Sequence, residues 1–510
     1  KAGEVLPDTD TRNVDETWDS VRAFGALRSQ LLGEGLRGTD LERQLEDSKP
    51  PPDWPVVALV GDRRMQALPT YGRIAAQWAL TREHFTFNLQ TILKMCATPD
   101  ADLAVIGQEW GKQVKVKGVK RDLTASQLFN PHQGKGQNRP KANVLKMDNI
   151  KDNFWLWEYL KAAGLWLCAA PRTVVGDNDR KTYVLAPLNI TLSAHKKVFQ
   201  DFAGRIWNER RGDTTAIKMD IIAGLLYAEV LLEHSEAAQQ DDLDFDVIGF
   251  DDHGPGDVAS GFHVAQYKLL SRNAYTMTNL TFLGLPAWTG QTQNRAEVLR
   301  MKEVIEEHLN VIRGIDEGRS DGYNLLLRYR DFVAGGKWDA FFDFAVGYSH
   351  YLMRDLHEAT RQNRRYRARA FTVRNLEELM MRTSKPLGPI LQSEGFKNVA
   401  RAIRLSTITL QYLGRKQSPY DIRYGLAQEL QRKAVDNREF AKALGAFIQS
   451  FNAENARIAE RETGAWRRKD VTTADLEQVM QLVDDYGAET VCHLLVAYGY
   501  ARAPKEEAAS

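Results

Sequence analysis

The chain has 510 residues, of which 43% are hydrophobic and 26% charged. This composition excludes wholesale disorder and calls for more than one hydrophobic core. No run approaches the roughly 18 consecutive apolar residues of a membrane-spanning helix. Cys96, Cys168 and Cys492 are widely separated and outside any C-x-x-C spacing, which argues against a disulfide framework or zinc ribbon and fits a reducing cytoplasm.

Residues 1–49 read as short helices stopped by Pro50, Pro51 and Pro52, which impose an extended linker. Val56 to Val60, closed by Gly61, reads as a buried strand, and residues 74–96 carry a helical pattern. Val114 and Val116 then alternate with Lys115 and Lys117, predicting a half-exposed strand with a basic outer face over residues 113–120. It leads to the stretch richest in chemistry, residues 129–143. Gly134 and Gly136 flank Lys135 and let the backbone approach a phosphate closely. Lys135, Arg139 and Lys141 supply cations, while Asn130, Gln133, Gln137, Asn138 and Asn143 supply amide donors and acceptors of the kind that read base edges.

Residues 154–168 form a helix-length run with Trp155, Trp157, Tyr159, Leu160, Leu165 and Trp166, predicting a buried helix rather than a base-stacking surface. Residues 172–175 and 181–185 flank a polar turn at 176–180, a β-hairpin whose tip would present Arg172, Arg180 and Lys181. From Ser193 onward helical periodicity dominates, with helices expected over 193–207, 214–234, 295–314, 324–333 and 338–356. The last part reads as four to six helices, with breaks at Pro386, Pro389, 414–419, Asn437 and Thr472. The fold class expected is α+β: a mixed N-terminal region with short strands and a glycine-rich basic loop over 1–370, mainly helical toward its end, then a C-terminal helical bundle over 371–510.

A formal net charge of +1 conceals segregation along the chain. Residues 111–143 hold eight Lys/Arg against one acid, and residues 361–433 hold sixteen against five, a local excess of +11. Residues 231–257 carry nine acids and no Lys or Arg. Such segregation gives a near-neutral chain two electrostatic footprints for phosphate. Within the second footprint Arg361, Arg364, Arg365, Arg367 and Arg369 fall within nine residues. Lys397, Arg401 and Arg404 are spaced to share one helix face, and Arg415, Lys416, Arg423, Arg432 and Lys433 follow.

Neither a G-x-x-x-x-G-K-[ST] nor an H-E-x-x-H motif occurs. Asp251, Asp252 and His253, with His263, are the best candidates for a metal-dependent nuclease, weighed against a solvated turn or protein-docking patch. A helical interaction scaffold with incidental charge is the other alternative. Met380 and Met381 read as helix methionines, with an internally started small subunit as the sharper possibility.

Several segments, taken together, resemble the large subunits of type I CRISPR surveillance complexes (Cascade). They are residues 129–143, Phe154-Trp155-Leu156-Trp157-Glu158-Tyr159-Leu160-Lys161, Asp179-Arg180-Lys181-Thr182-Tyr183-Val184-Leu185-Ala186-Pro187, Arg374-Asn375-Leu376-Glu377-Glu378, Lys385-Pro386-Leu387-Gly388-Pro389, residues 420–429 and Asn452-Ala453-Glu454-Asn455. The resemblance spans about residues 125–215 and 371–503. It implies a non-catalytic, cytoplasmic protein without a cofactor, working with guide RNA and other complex subunits. Its N-terminal region would recognise a protospacer-adjacent motif in double-stranded target DNA, its helical bundle would line the path of the displaced single strand, and a separate helicase-nuclease would be recruited. On this reading the 130–141 loop and the Arg172/Arg180/Lys181 hairpin engage the motif duplex, while Lys397, Arg401, Arg404, Arg415, Lys416 and Arg423 face the displaced strand.

Overall fold

The computed structural model describes residues 38–45, 80–97, 102–122, 154–176, 179–235, 258–271, 274–289, 294–382, 387–413, 418–461 and 467–503, with Thr292 and scattered positions between 23 and 78. The protein is mostly helical with a four-stranded antiparallel sheet, an α+β architecture. Two compact units emerge, one of residues 1–186 and 262–282, the other of residues 187–261 and 283–510. The helices of 371–503 thus share a unit with those that precede them.

In the first unit a short helix, α1 (Gly38–Leu45), carries a small leucine cluster. The main core gathers α2 (Phe85–Ala97), α3 (Leu103–Gln113) and α4 (Trp155–Cys168) around Trp78, Trp110 and Trp155. Trp155 packs edge-on against Trp78 at 5.4 Å and against Trp110 at 5.7 Å. The Trp110 indole donates to Asn88 Oδ1 at 2.8 Å, and Asn88 in turn donates to Thr81, so the Trp110 ring is buried with its N–H paired. The expected buried helix is therefore present. The expected strand at 113–120 is not: α3 runs to Gln113, and the following residues form no ladder, turning at Gly118 with φ +90°. Val114 is buried while Lys115 and Lys117 are exposed, so alternation survives without the partner strand that would make it a sheet.

The sheet runs in the order β1 (Ala169–Thr173), β2 (Arg180–Pro187), β3 (Ala259–Ser271), β4 (Ala274–Gly284). The expected hairpin is β1–β2, in register at Ala169↔Val184 and Arg172↔Lys181, and its turn closes where Val174 N–H donates to Asp179 O at 2.7 Å. The two long strands, β3 and β4, fall between the helices expected at 214–234 and 295–314, in a stretch for which the sequence named no element.

The second unit is built on α6 (Ala216–Glu233), which is buried at every position from Ile217 to Leu232. Around it lie α5 (Leu192–Asn208), α7 (Arg295–Gly314) and α8 (Ser320–Gly335). A helix covered on all sides must pair its charges. Glu229 accepts from Arg205 at 2.9 Å, and Lys218 lies 3.8 Å from Asp213. The Glu317 carboxylate caps α6 from a distant loop, accepting the N–H groups of Ile217 and Lys218 at 3.0 and 2.9 Å.

Next come α9 (Trp338–Arg361), α10 (Val373–Met380), α11 (Gly388–Gln392), α12 (Glu394–Ser406), α13 (Ile408–Leu413), α14 (Leu426–Lys433), α15 (Asn437–Arg461), α16 (Thr473–Tyr486) and α17 (Ala488–Gly499). Among the described residues of 373–499 there are eight helices, α10–α17, more than the four to six expected, because short segments such as α11 and α13 carry too few turns to show a period. Thr472 N-caps α16 in a capping box with Asp475, and Pro389 sits in the first turn of α11, as such residues should. Helix α9 contacts α13, α14 and α17, joining the C-terminal helices to the rest of the unit. Met380 is buried at the end of α10 and Met381 is exposed just beyond it.

Candidate nucleic-acid interface

The amide- and glycine-rich loop, with Asn130, Gln133, Gly134, Lys135, Gly136, Gln137, Asn138, Arg139 and Lys141, lies outside the described residues, as do Arg415, Lys416, Asp251, Asp252 and His253. His263 is described: it stands exposed on β3, with its ring against Phe282 of β4 at 5.3 Å. Among the described residues no group of three or more His, Cys, Asp or Glu is placed to hold a metal ion.

The hairpin cations sit elsewhere than expected. Arg172 and Lys181 oppose each other within the ladder and Arg180 opposes Thr173, so all three lie on the strands rather than at the tip. Lys181 is buried and Arg172 and Arg180 are half-buried. The sheet explains this: β3 runs beside β2, and its Leu269 N–H donates to the carboxylate of Asp179 at 2.9 Å, drawing the start of β2 into the structure.

The stripe on α12 also divides. Lys397 is exposed and pairs with Glu394 at 3.1 Å, and Arg401 is half-buried. Arg404 is buried, with a guanidinium N–H donated to Tyr498 O of α17 at 3.0 Å. Helix α17 passes α12 at contact distance, since a Cβ placed on Gly499 would lie 2.5 Å from the Ile403 side chain. Three cations at helical spacing therefore do not share an open face, because the helix is covered over part of its circumference by α16 and α17. Arg423 likewise turns onto α15, donating to Ser450 Oγ at 2.8 Å and lying over the Phe447 ring.

The cations that do gather in the open are those after α9. Helix α9 ends in a Schellman motif: Asn363 adopts φ +48°, its N–H donates to Thr360 O, and Arg364 N–H reaches back to Ala359 O at 3.0 Å. The chain then runs extended, with Ala368 and Ala370 buried and Arg365, Tyr366, Arg367 and Arg369 exposed. Two side chains of α9 hold this segment by its backbone. Asp355 accepts the N–H groups of Arg367 and Ala368 at 2.7 and 2.8 Å and the guanidinium of Arg364 at 2.8 Å. The Tyr348 hydroxyl donates to Arg369 O at 2.7 Å and accepts from Arg369 N–H at 3.0 Å. Burial pushes the Asp355 carboxyl upward, but the Ala368 N–H, the Arg364 guanidinium and the Arg367 N–H outweigh it and hold the group below its ordinary value. Gly314 of α7 allows the close approach: a Cβ there would meet Arg367 O at 2.5 Å.

Residues 361–371 contain five arginines and no acid. Arg364 is spent on Asp355, whereas Arg361, Arg365, Arg367 and Arg369 form no ion pair among the described residues. Aromatic rings join them. Tyr366 carries the Arg369 guanidinium over its face at 5.5 Å and meets Tyr412 of α13 at 5.6 Å, and Tyr424, whose hydroxyl bonds Gln411 of α13, stands exposed against His357 of α9. Sequence reasoning counted these arginines but passed over the tyrosines. The available signal was the period-two order Arg367-Ala368-Arg369-Ala370, which marks an extended segment with one buried face.

Comparison with protein families, curated proteins and solved structures returned no match. Exposed Arg365, Arg367 and Arg369 on a segment held at 367–369 by Asp355 and Tyr348, with exposed Arg361 at the end of α9, make a preorganised cationic surface suited to phosphate.

Proposed function

We propose that this chain is the non-catalytic, DNA-recognising large subunit of a type I CRISPR surveillance complex. In this role it reads a protospacer-adjacent motif in duplex DNA through the 130–141 loop and stabilises the opened DNA through its helical unit. The observation that carries the reading is the 361–369 segment, with four exposed guanidinium groups that lack ion-pair partners among the described residues. The family-like phrases over residues 125–215 and 371–503 support it. Contacts to the displaced strand shift the near-balanced exchange of DNA duplex for RNA–DNA heteroduplex toward the open state. A helicase-nuclease recruited by the assembly does the cutting, and the chain itself performs no reaction.

The test is to purify the chain with its native neighbours and sequence any RNA that accompanies it. A guide RNA and a multiply repeated backbone protein are expected, and target binding should collapse when Lys135, Arg139 and Lys141 are replaced by Ala while assembly persists. A chain that purifies without RNA, or a triple variant that retains motif preference, overturns the proposal.

A further inference from the structure

The rings beside the arginine segment have a geometry that charge alone does not require. Tyr366 and Tyr412 are each 38% exposed and Tyr424 is 47% exposed, in a unit whose other large aromatic side chains are mostly buried. Two edge-on aromatic pairs converge on the last turn of α13. One is Tyr412 with Tyr366 at 5.6 Å; the other is Tyr424 with His357 at 5.5 Å, its phenol bonded to Gln411 Oε1 at 3.1 Å. Each ring has neighbours that hold it. Tyr366 sits on the clamped segment under Arg369, Tyr412 packs edge-on against Tyr366, and Tyr424 is held by both Gln411 and His357. Rings that are held by neighbours, half open and interleaved with guanidinium groups lacking an ion pair among the described residues are what an unpaired nucleotide strand requires. Bases can stack on π-faces while phosphates meet cations, without sequence preference. A base pair inside a duplex offers no such face.

We propose that Tyr366, Tyr412 and Tyr424 form a stacking track for the bases of a single nucleic-acid strand, with Arg365, Arg367 and Arg369 holding its phosphates. This deepens the function proposed above and rests on its nucleic-acid component, naming the opened strand as the ligand of this surface. The exposed aromatic positions give the track its polarity-independent grip, and the Asp355 clamp keeps the cations at fixed distance from the rings.

The test uses the purified full chain and three fluorescent probes of equal length: a 20-nucleotide single strand, the same strand as duplex, and a fully abasic strand that keeps every phosphate and lacks every base. The single strand is expected to bind best. Replacing Tyr366, Tyr412 or Tyr424 by Leu, which keeps apolar bulk and removes the π-face, should weaken single-strand binding by about tenfold per ring. The slope of affinity against salt should stay unchanged, because no charge is lost. Tyr366→Phe should bind like the unaltered chain. Equal affinity of the unaltered chain for abasic and base-bearing strands overturns the track, and that arm needs no variant to fold. DNA and RNA versions of the strand identify the source: tighter DNA binding points to displaced target and tighter RNA binding to guide or transcript, and both support stacking. Absence of guide RNA from the native assembly sinks the complex while leaving this result standing, whereas base-independent binding sinks the track alone.

Discussion

At the scale of single residues, an arginine's role depends on what surrounds its guanidinium, and Arg468 shows the contrast with Arg367. Arg468 is fully buried between the rings of Tyr420 at 3.7 Å and Phe451 at 4.4 Å. Its N–H groups go to Glu454 at 2.7 Å, Asn455 at 2.8 Å and Leu405 O at 3.3 Å. Burial lowers its pKa and Glu454 opposes that shift, the pattern of a charge accepted into the interior only because every direction of its fork is answered. Arg468→Ala leaves the buried carboxylate of Glu454 with the Asp421 N–H at 2.9 Å and the more distant Arg423, 3.8 Å away, and should cost about 3–5 kcal/mol of stability. Arg468→Lys should recover little, since an ammonium cannot donate along three coplanar directions between two rings. Urea unfolding followed by circular dichroism checks both. A variant within 1 kcal/mol of the unaltered chain, as is usual for exposed ion pairs, counts against this structural role.

At the scale of elements, the arginine segment is positioned by α9, and this yields a prediction whose sign opposes simple electrostatics. Removing a carboxylate from a cationic surface should by charge alone strengthen polyanion binding. Asp355→Ala should instead weaken binding of a single-stranded oligonucleotide severalfold, because Arg367 and Ala368 lose their anchor and Arg364 loses its partner. Tighter binding, measured by fluorescence anisotropy, would show that the clamp is irrelevant. The same group carries a pH signature. Its folded pKa is depressed below the ordinary 3.8, so its stabilising contribution is fully present above that value and is lost as pH falls through the lower folded value. The stability gap between the unaltered chain and Asp355→Ala should therefore be constant near neutrality and close in acid below about pH 3.8. Elements with a strong period were legible in advance: 295–314 was expected as a helix and is one, 338–356 extends to Arg361, and the Trp155 helix was assigned to the core. What failed depended on neighbours. Residues 113–120 have a strand's alternation and no partner strand, β3 and β4 lie where helical periods flank them, and Arg404 has the spacing of an open stripe on a helix covered by α17. Tyr366 and Tyr412 are 46 residues apart in sequence, and only tertiary contact makes them a pair.

At the scale of the whole molecule, a net charge of +1 offers no forecast of nucleic-acid binding, while the +11 over residues 361–433 overstates it. The structure separates the contributions. Arg364, Arg382, Arg404, Arg423, Lys397 and Lys433 have partners within the protein; of the exposed cations without an ion pair among the described residues, Arg432 stands singly on α14, whereas the arginines of 361–369 are clustered and so best able to exchange solvent counterions for phosphates. Counterion release turns this into a number. If Arg361, Arg365, Arg367 and Arg369 each neutralise one phosphate of a single strand, the logarithm of affinity should fall with the logarithm of salt with a slope of about −3, since each contact contributes roughly 0.7. The full local excess of +11 would give a slope steeper than about −7. Replacing the four arginines by Gln should remove most of the slope, whereas Lys397→Gln, which breaks an exposed pair with Glu394, should leave it within about half a unit. A titration of oligonucleotide affinity across salt concentrations decides between them: a steep slope that survives the quadruple variant would move the interface away from α9 to the other cations of the chain.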